Sequence, residues 1–415
     1  MNGGSVSISG AEQILRPDRD GRPYLRGQFA SQQTLEPGGL SIRNGLIAEL
    51  AEDPGADARF DARGCAVIPG FVDCHTHLPF AGWREREYEQ KIRGVPYEQI
   101  SRDGGGIASS ARALSEASDE QVLAQSIALA NEMLASGTTT FECKSGYGLS
   151  REGELRALDL ARTLGSRVSQ TTTSTALLAH SVPPLYSADE WMDEVETMMP
   201  EVVMPGSVSA LDIFVESIAF SNEDLTRMGA LAADAGLSLR SHVEQFGGLR
   251  SVPVALAAHA RSVDHLSTMH GDDIAPLAQA ECAAVLLPAA EFLGDEHRAP
   301  GRELVDAGAI VVLATDANPG TAPVFSLPVV IGLAVRLYRF SALEALAAAT
   351  LNGAWTLGLQ ADRGSIEVGK RADVVVLDGP VEQIAYRFGR NPVLAVFVAG
   401  EPVFVRDDAR ARLTE

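Results

Sequence analysis

Short apolar runs alternate with longer amphipathic stretches through the middle of the chain, and this alternation is its main structural signal. Eight runs read as strands: 67–72, 138–142, 172–178, 210–215, 238–242, 262–266, 283–287 and 310–314. Helix-length segments lie between several of them, at 119–135, 152–164 and 222–235. Apolar strands separated by helices favour parallel pairing, because each crossover returns the chain to the same end of the sheet. Eight such repeats, over a span near the ~250 residues typical of the fold, predict an α/β architecture of the (β/α)8 TIM-barrel type. An open doubly wound sheet is the alternative. Both ends of the chain read differently. The Asn44-Gly45 pair inside the alternating segment 39–47 is a hairpin signal, and 372–378 and 394–400 read as strands around turns. β-rich termini therefore flank a β/α middle.

Composition narrows the partners. Of 415 residues, 46% are hydrophobic and 21% charged, enough apolar material for a large core. The formal charge of −21 repels nucleic acid and anionic lipid, so neither is an expected partner. An anionic substrate then needs a local cationic anchor. The cysteines at 65, 74, 143 and 282 show no CxxC spacing, which argues against a disulfide framework or a zinc ribbon and favours a reducing cytoplasm. The first twenty residues hold no signal-peptide core, and no uncharged apolar run reaches membrane-spanning length.

The chemistry gathers at the strand ends, where a barrel of this type carries its catalytic groups. The first strand ends in His75 and His77, which share a face at strand spacing. The second runs into Glu142, Lys144 and Tyr147. The third ends at His180, the fifth at His242 with Glu244 and Gln245, the sixth at His265, and the eighth at Asp316 with Asn318. Five of the eight histidines lie at such ends; His259, His270 and His297 do not. Taken singly, each is as well explained by a packed or hydrogen-bonded side chain, and Asp316 by an Asx turn. A barrel brings these ends to one rim. There, His75, His77, His242 and Asp316 offer three nitrogens and a carboxylate, a set suited to Zn²⁺ or Fe²⁺ with a position left for water. Arg84 sits in a charge run and reads either as a solvated surface arginine or as a fork for a substrate carboxylate. Triglycine 104–106 lacks the signature of a phosphate loop.

At this point the chain resembles the imidazolonepropionases, a family of the amidohydrolase superfamily that acts in histidine degradation. The matching segments are Pro69-Gly-Phe-Val-Asp-Cys-His-Thr-His77, Phe80-Ala-Gly-Trp-Arg84, Tyr97-Glu-Gln-Ile100 with the triglycine, and Glu142-Cys-Lys-Ser-Gly-Tyr-Gly-Leu149. Further along come Ala179-His-Ser-Val-Pro-Pro184, His242-Val-Glu-Gln245, Val263-Asp-His-Leu266, Ala314-Thr-Asp-Ala-Asn-Pro-Gly-Thr321 and Gly369-Lys-Arg-Ala-Asp373. The resemblance spans roughly 64 to 405. Its narrow motifs are KSGYG, AHxVPP and ATDxNPG; HxH and GKRAD belong to the whole superfamily.

The resemblance implies a barrel over 67–359 and a small β-sandwich composed of 1–66 with 360–415. It implies one divalent metal ion, Zn²⁺ or iron as Fe²⁺/Fe³⁺, on His75, His77, His242 and Asp316. The fourth strand ends Phe214-Val-Glu216 without the lysine of binuclear relatives. The substrate implied is the small anionic heterocycle 4-imidazolone-5-propanoate. By position, Arg84, Tyr97, Tyr147, His180, Gln245 and Thr321 contact it, with Asn318 and Gly320 touching product. Water activated by the metal attacks the ring carbonyl, His265 stabilises the oxyanion, and Asp316 shuttles the proton, with His265 and Glu244 as rivals for that task. A homodimer is the suggested assembly. Trp83 and Pro79 stand where the family leads one to expect smaller or plainer residues. Two other readings stay open: a deaminase or other cyclic-amide hydrolase of the superfamily, and a non-catalytic metal-stabilised scaffold.

Overall fold

The computed structural model describes residues 4–27, 29–204, 208–294 and 297–414. Five strands come first: β1 (Ser5–Pro17), β2 (Gln33–Arg43), β3 (Leu46–Glu49), β4 (Ala58–Asp61) and β5 (Ala66–Pro69). Eight follow: β6 (Phe71–Asp73), β7 (Thr138–Lys144), β8 (Thr171–Ala179), β9 (Ala210–Val215), β10 (Ser238–Val243), β11 (Ser262–His265), β12 (Ala283–Leu286) and β13 (Ile310–Leu313). The chain ends with β14 (Val374–Leu377), β15 (Val393–Val398), β16 (Glu401–Val405) and β17 (Leu413–Thr414).

The eight middle strands form one sheet in sequential order from β6 to β13, and every neighbouring pair is parallel. Among the described residues, no ladder joins β6 to β13. The ring closes just beyond their ends, through a parallel bridge between Thr76 and Ala317. Asp316 N donates to His75 O at 3.0 Å and His77 N donates to Ala317 O at 2.9 Å. The expected (β/α)8 barrel is the fold, and the doubly wound alternative is excluded by this closure. The sequence pattern locates helices well where caps and amphipathicity agree. Helices span Asp119–Ala135 and Asn222–Ala235, each opened by a serine capping box at Ser118 or Ser221. Their apolar faces, including Val122, Leu129 and Met133 in one and Leu225 and Met228 in the other, pack onto the barrel.

The remaining nine strands form a second sheet from both termini, in the order β16-β15-β14-β5-β1-β2-β3, with β4 on β1 and β17 on β4. It is largely antiparallel, although β1 runs parallel to β4 and β5. Its arms close on a common core that includes Ile8, Leu40, Phe60, Val67, Val374 and Phe397. The expected hairpin is present, with Asn44 and Gly45 at φ 53 and 76 between β2 and β3.

One strand differs from expectation. The run 67–72 is not one element: β5 pairs with β14 in the terminal sheet, while β6 pairs with β7 in the barrel. The switch occurs at Gly70, whose N–H donates to Asp373 O at 2.8 Å. A Cβ at Gly70 would lie 2.1 Å from the Oγ1 of buried Thr139. The crossover is therefore possible only where the backbone can touch its neighbour. Gly70→Ala is expected to cost about 1–3 kcal/mol, the usual range for overpacking a rigid core, measured by denaturant unfolding. Among the described residues, no helix is long and apolar enough to cross a membrane. The four cysteines are buried and unpaired.

Candidate active site

Barrel interiors are commonly filled by branched apolar side chains. Here much of the interior is ionic. Alternate residues of a strand share a face, so Glu142 and Lys144 on β7, Asp212 on β9, Arg240 and His242 on β10, and Asp264 on β11 all enter the same space. Lys144 Nζ lies 2.6 Å from Asp212 Oδ2 and 2.9 Å from Glu142 Oε2. Arg240 pairs with Glu142 and reaches Asp264 Oδ2 at 3.0 Å. All five are buried. An ionic cluster in a dry core is a weak source of stability, because desolvation offsets most of the attraction. Its place is explained by what it holds.

Asp264 Oδ2 accepts from His75 Nδ1 at 2.6 Å, and Asp212 Oδ1 from His242 Nδ1 at 3.1 Å. Each bond fixes a tautomer and turns the Nε2 lone pair towards the barrel mouth. Burial opposes ionisation of Asp212, but His242, Lys144 and Arg240 outweigh it and hold its carboxyl well below the usual range. Both Nε2 atoms are buried and lack hydrogen-bond partners, as does Nδ1 of His77. Nε2 of His77 lies 3.2 Å from Asp316 Oδ1, and Nε2 of His75 lies 3.5 Å from the same oxygen. Burial lowers the pKa of His75, His77 and His180 well below the ordinary imidazole value, and that of His265 to about 3. Neutral rings have lone pairs to give.

Two overlapping trios have ligand atoms within 4.8 Å of one another: His75, His77 and His242, and His75, His265 and Asp316. Unpartnered buried nitrogens, fixed tautomers and an adjacent carboxylate suit a divalent cation. The charge balance agrees. Three carboxylates against two cations leave the inner cluster one negative charge, and Asp316 adds a second.

A cavity opens above these residues, lined by His77, Arg84, Tyr97, Tyr147, His180, Gln245, His265, Asp316, Asn318 and Thr321, together with Ile107, Phe214, His242 and Phe246. Arg84 is only 7% exposed, and its Nε and Nη1 have no hydrogen-bond partner. The Tyr97 hydroxyl bonds to this guanidinium, while the Tyr97 ring stacks on Phe246 with centroids 4.8 Å apart. Tyr147 and His180 lie side by side with ring centroids 5.3 Å apart, and His180 stacks on His77 at 5.2 Å.

Three expected site residues are not among the lining, and one of them, His75, belongs to the histidine–aspartate cluster. Gly320 stands behind Arg84, where a Cβ would come 1.8 Å from Nη2. Glu244, a rival for the proton-shuttle role, is directed elsewhere. Its Oε1 accepts the Ser251 N–H at 2.6 Å, at the start of helix Ser251–Ala257. The left-handed backbone of Glu244, at φ 56, carries its side chain out of strand register, which alternation alone does not reveal. Asn318 lines the cavity, but its side chain is occupied by the turn: Oδ1 accepts from Gly320 N and Thr321 N at 2.8 Å, and Nδ2 donates to Asp316 O at 2.7 Å. Trp83 is half exposed and packs edge-on against Phe80 and Phe325, away from the lining. Sequence reading missed Asp212, Arg240 and Asp264. The available signal was a charged residue inside a barrel strand, clearest at Asp212 in the otherwise apolar Ala210–Val215.

Residues 66–403 match the Amidohydrolase family. The chain is 40% identical to the imidazolonepropionase of Rubrobacter xylanophilus, over 96% of this chain and 99% of that one. The chain belongs to the amidohydrolase family, among the imidazolonepropionases. It is a hydrolase. The imidazolonepropionase of Serratia proteamaculans is 39% identical over 88% of this chain and 92% of its own. Among solved structures, an adenosine deaminase from Xanthomonas campestris with bound zinc superposes with a TM-score of 0.71, at 19% identity, over 98% of this chain and 97% of that one. At that identity the likeness concerns the amidohydrolase fold alone. Family membership and the histidine cluster together make this a metal-binding site.

Proposed function

We propose that this chain hydrolyses 4-imidazolone-5-propanoate to N-formimidoyl-L-glutamate, a step of L-histidine degradation. The observation that carries the reading is a buried guanidinium with open donors facing the same small cavity as the histidine–aspartate cluster. One end of that cavity is made for an anion, the other for hydrolytic chemistry.

Arg84 receives the propionate through its free Nε and Nη1, with the hydroxyls of Tyr97 and Tyr147 beside it. The ring then lies among His180, Phe214 and Gln245. His75, His77, His242 and Asp316 would hold one divalent cation, Zn²⁺ or Fe²⁺, which when bound would supply Lewis acidity and lower the pKa of water from 15.7 towards about 7. Asp316 takes a proton from the attacking water, and burial, which raises its proton affinity, suits it to the task. The water oxygen adds to the ring carbonyl carbon. Neutral His265 donates a hydrogen bond to the carbonyl oxygen as it gains charge. Asp316 returns the proton to the ring nitrogen, the C–N bond breaks, and the ring opens. Asp316 lines the cavity and Glu244, whose Oε1 is held by the Ser251 N–H, does not, which favours Asp316 for the proton.

The test is direct. Metal-loaded protein mixed with imidazolonepropanoate is expected to lose the ring absorbance and form formimidoylglutamate in equal amounts. Release of ammonia instead would establish a deaminase and sink the reading. A Gly320→Ala variant is expected to push Arg84 aside, raising KM about tenfold with metal content unchanged, as for loss of uniform binding.

A further inference from the structure

The loop that carries Tyr147 is held by a group that lies outside the cavity. Glu154 is in the first turns of helix Arg151–Gly165, whose N-cap is Ser150, and is 1% exposed. Its Oε2 accepts the Gly146 N–H at 2.8 Å, and its Oε1 accepts Gly148 N–H at 2.7 Å and Leu149 N–H at 3.0 Å. With donors on both oxygens, the carboxylate serves as acceptor throughout. Three amides of one loop converging on one carboxylate require unusual backbone. Gly146 has φ 108 and Leu149 φ 45. Gly148 and Gly153 touch directly, so that a Cβ on Gly148 would lie 2.2 Å from Glu154 N and one on Gly153 would lie 2.5 Å from Gly148 O. Tyr147 is thereby fixed between two restrained peptides.

The restraint passes further. The carbonyl of Gly146, whose N–H is held by Glu154, accepts the Nδ1–H of His180 at 2.9 Å. This bond leaves His180 Nε2 as the acceptor nitrogen and sets the ring on His77 with an interplanar angle of 16°. One carboxylate thus governs two cavity residues through the peptides around them.

We infer that Glu154 is a positioning residue for substrate recognition, acting through the Gly146–Leu149 loop on Tyr147 and His180. The inference rests on the hydrolytic reading above for its kinetic consequence, but its structural consequence stands without it. In Glu154→Gln the amide nitrogen faces backbone donors, so the loop loses at least one of its anchors.

The experiment compares metal-loaded wild type, Glu154→Gln, Tyr147→Phe and the double variant. Glu154→Gln is expected to raise KM for imidazolonepropanoate about tenfold, with kcat within about threefold and metal content unchanged. In the double variant, the effect of the Glu154 substitution is smaller than in the wild type, because the part that runs through the Tyr147 hydroxyl is gone and only the part through His180 remains. Additive effects, or loss of kcat and metal along with affinity, would assign Glu154 to general fold maintenance and overturn the inference. The second readout needs no turnover. In ¹⁵N-histidine spectra, the His180 Nδ1–H signal, identified by its absence in His180→Asn, shifts or exchanges away in Glu154→Gln while the other histidine signals stay. An unchanged His180 signal overturns the inference even if the substrate is turned over. A shifted signal in a protein inert towards imidazolonepropanoate supports the positioning role and refutes only the substrate. Should Glu154→Gln fail to fold, Glu154→Asp is read in the same way. It keeps the charge but is one methylene too short to reach all three amides.

Discussion

An Arg84→Met variant is expected to bind imidazolonepropanoate far more weakly than the wild type, yet to unfold at a higher temperature. The first half follows from desolvated charge pairing. Truncating one partner of such a pair costs about 2–5 kcal/mol, roughly thirty- to several-thousandfold in affinity. The overall charge of −21 makes the loss harder to offset, because no long-range attraction remains to draw an anion in. The second half follows from the free protein. Arg84 Nε and Nη1 are buried without hydrogen-bond partners, and the carboxylate 3.7 Å from Nε, that of Glu87, accepts from Gly106 N. An under-satisfied buried cation is destabilising, and methionine fills similar space without the charge. Thermal unfolding and equilibrium binding measure the two halves separately. Undiminished affinity in Arg84→Met would remove the anchor from the account.

His77→Ala is expected to lose metal and activity together, with kcat/KM falling by about three orders of magnitude or more, the scale set by a cation's effect on the acidity of water. Metal analysis after gel filtration and a turnover assay decide it. The structure makes the outcome informative in another way. His265 and Asp316 form a second trio with His75. A variant that kept a full equivalent of metal but lost turnover would place the ion on that trio and displace the four-ligand assignment.

Much of this was legible in the chain itself, for identifiable reasons. The helix at 222–235 combines a capping serine, an apolar stripe and a terminal glycine at Gly236, and such local signals agree with the fold. His75 and His77 were legible because strand spacing alone puts them on one face. The run 67–72 carries a kink signal at Pro69-Gly70, where it does part, but its two halves have the same composition and nothing in the sequence assigns them to different sheets. The supports of the ligands were hidden for two reasons: Asp212 looks like a lone interruption of the apolar run Ala210–Val215, and Asp264 stands beside the more conspicuous His265 in the mostly polar Ser262–His265. Glu154 was hidden among several acids of an amphipathic helix, and only its burial distinguishes it from those neighbours. The direction of Glu244 is hard to read from sequence because a positive φ breaks the alternation that would otherwise place its side chain.

The bridge between Thr76 and Ala317 gives the metal site a mechanical meaning. The barrel is a hoop with one seam, where two backbone hydrogen bonds, His77 to Ala317 and Asp316 to His75, take the place of a ladder. Three of the four candidate ligands, His75, His77 and Asp316, flank this seam. An ion held by the proposed ligands His75, His77 and Asp316 would be a clasp across the seam, closing a loop that includes nearly the whole barrel, and loops of that length gain most from closure. Chelation should therefore loosen the hoop as well as silence the enzyme, and amide deuterium uptake at His77 and Asp316 should rise before it rises on the opposite wall.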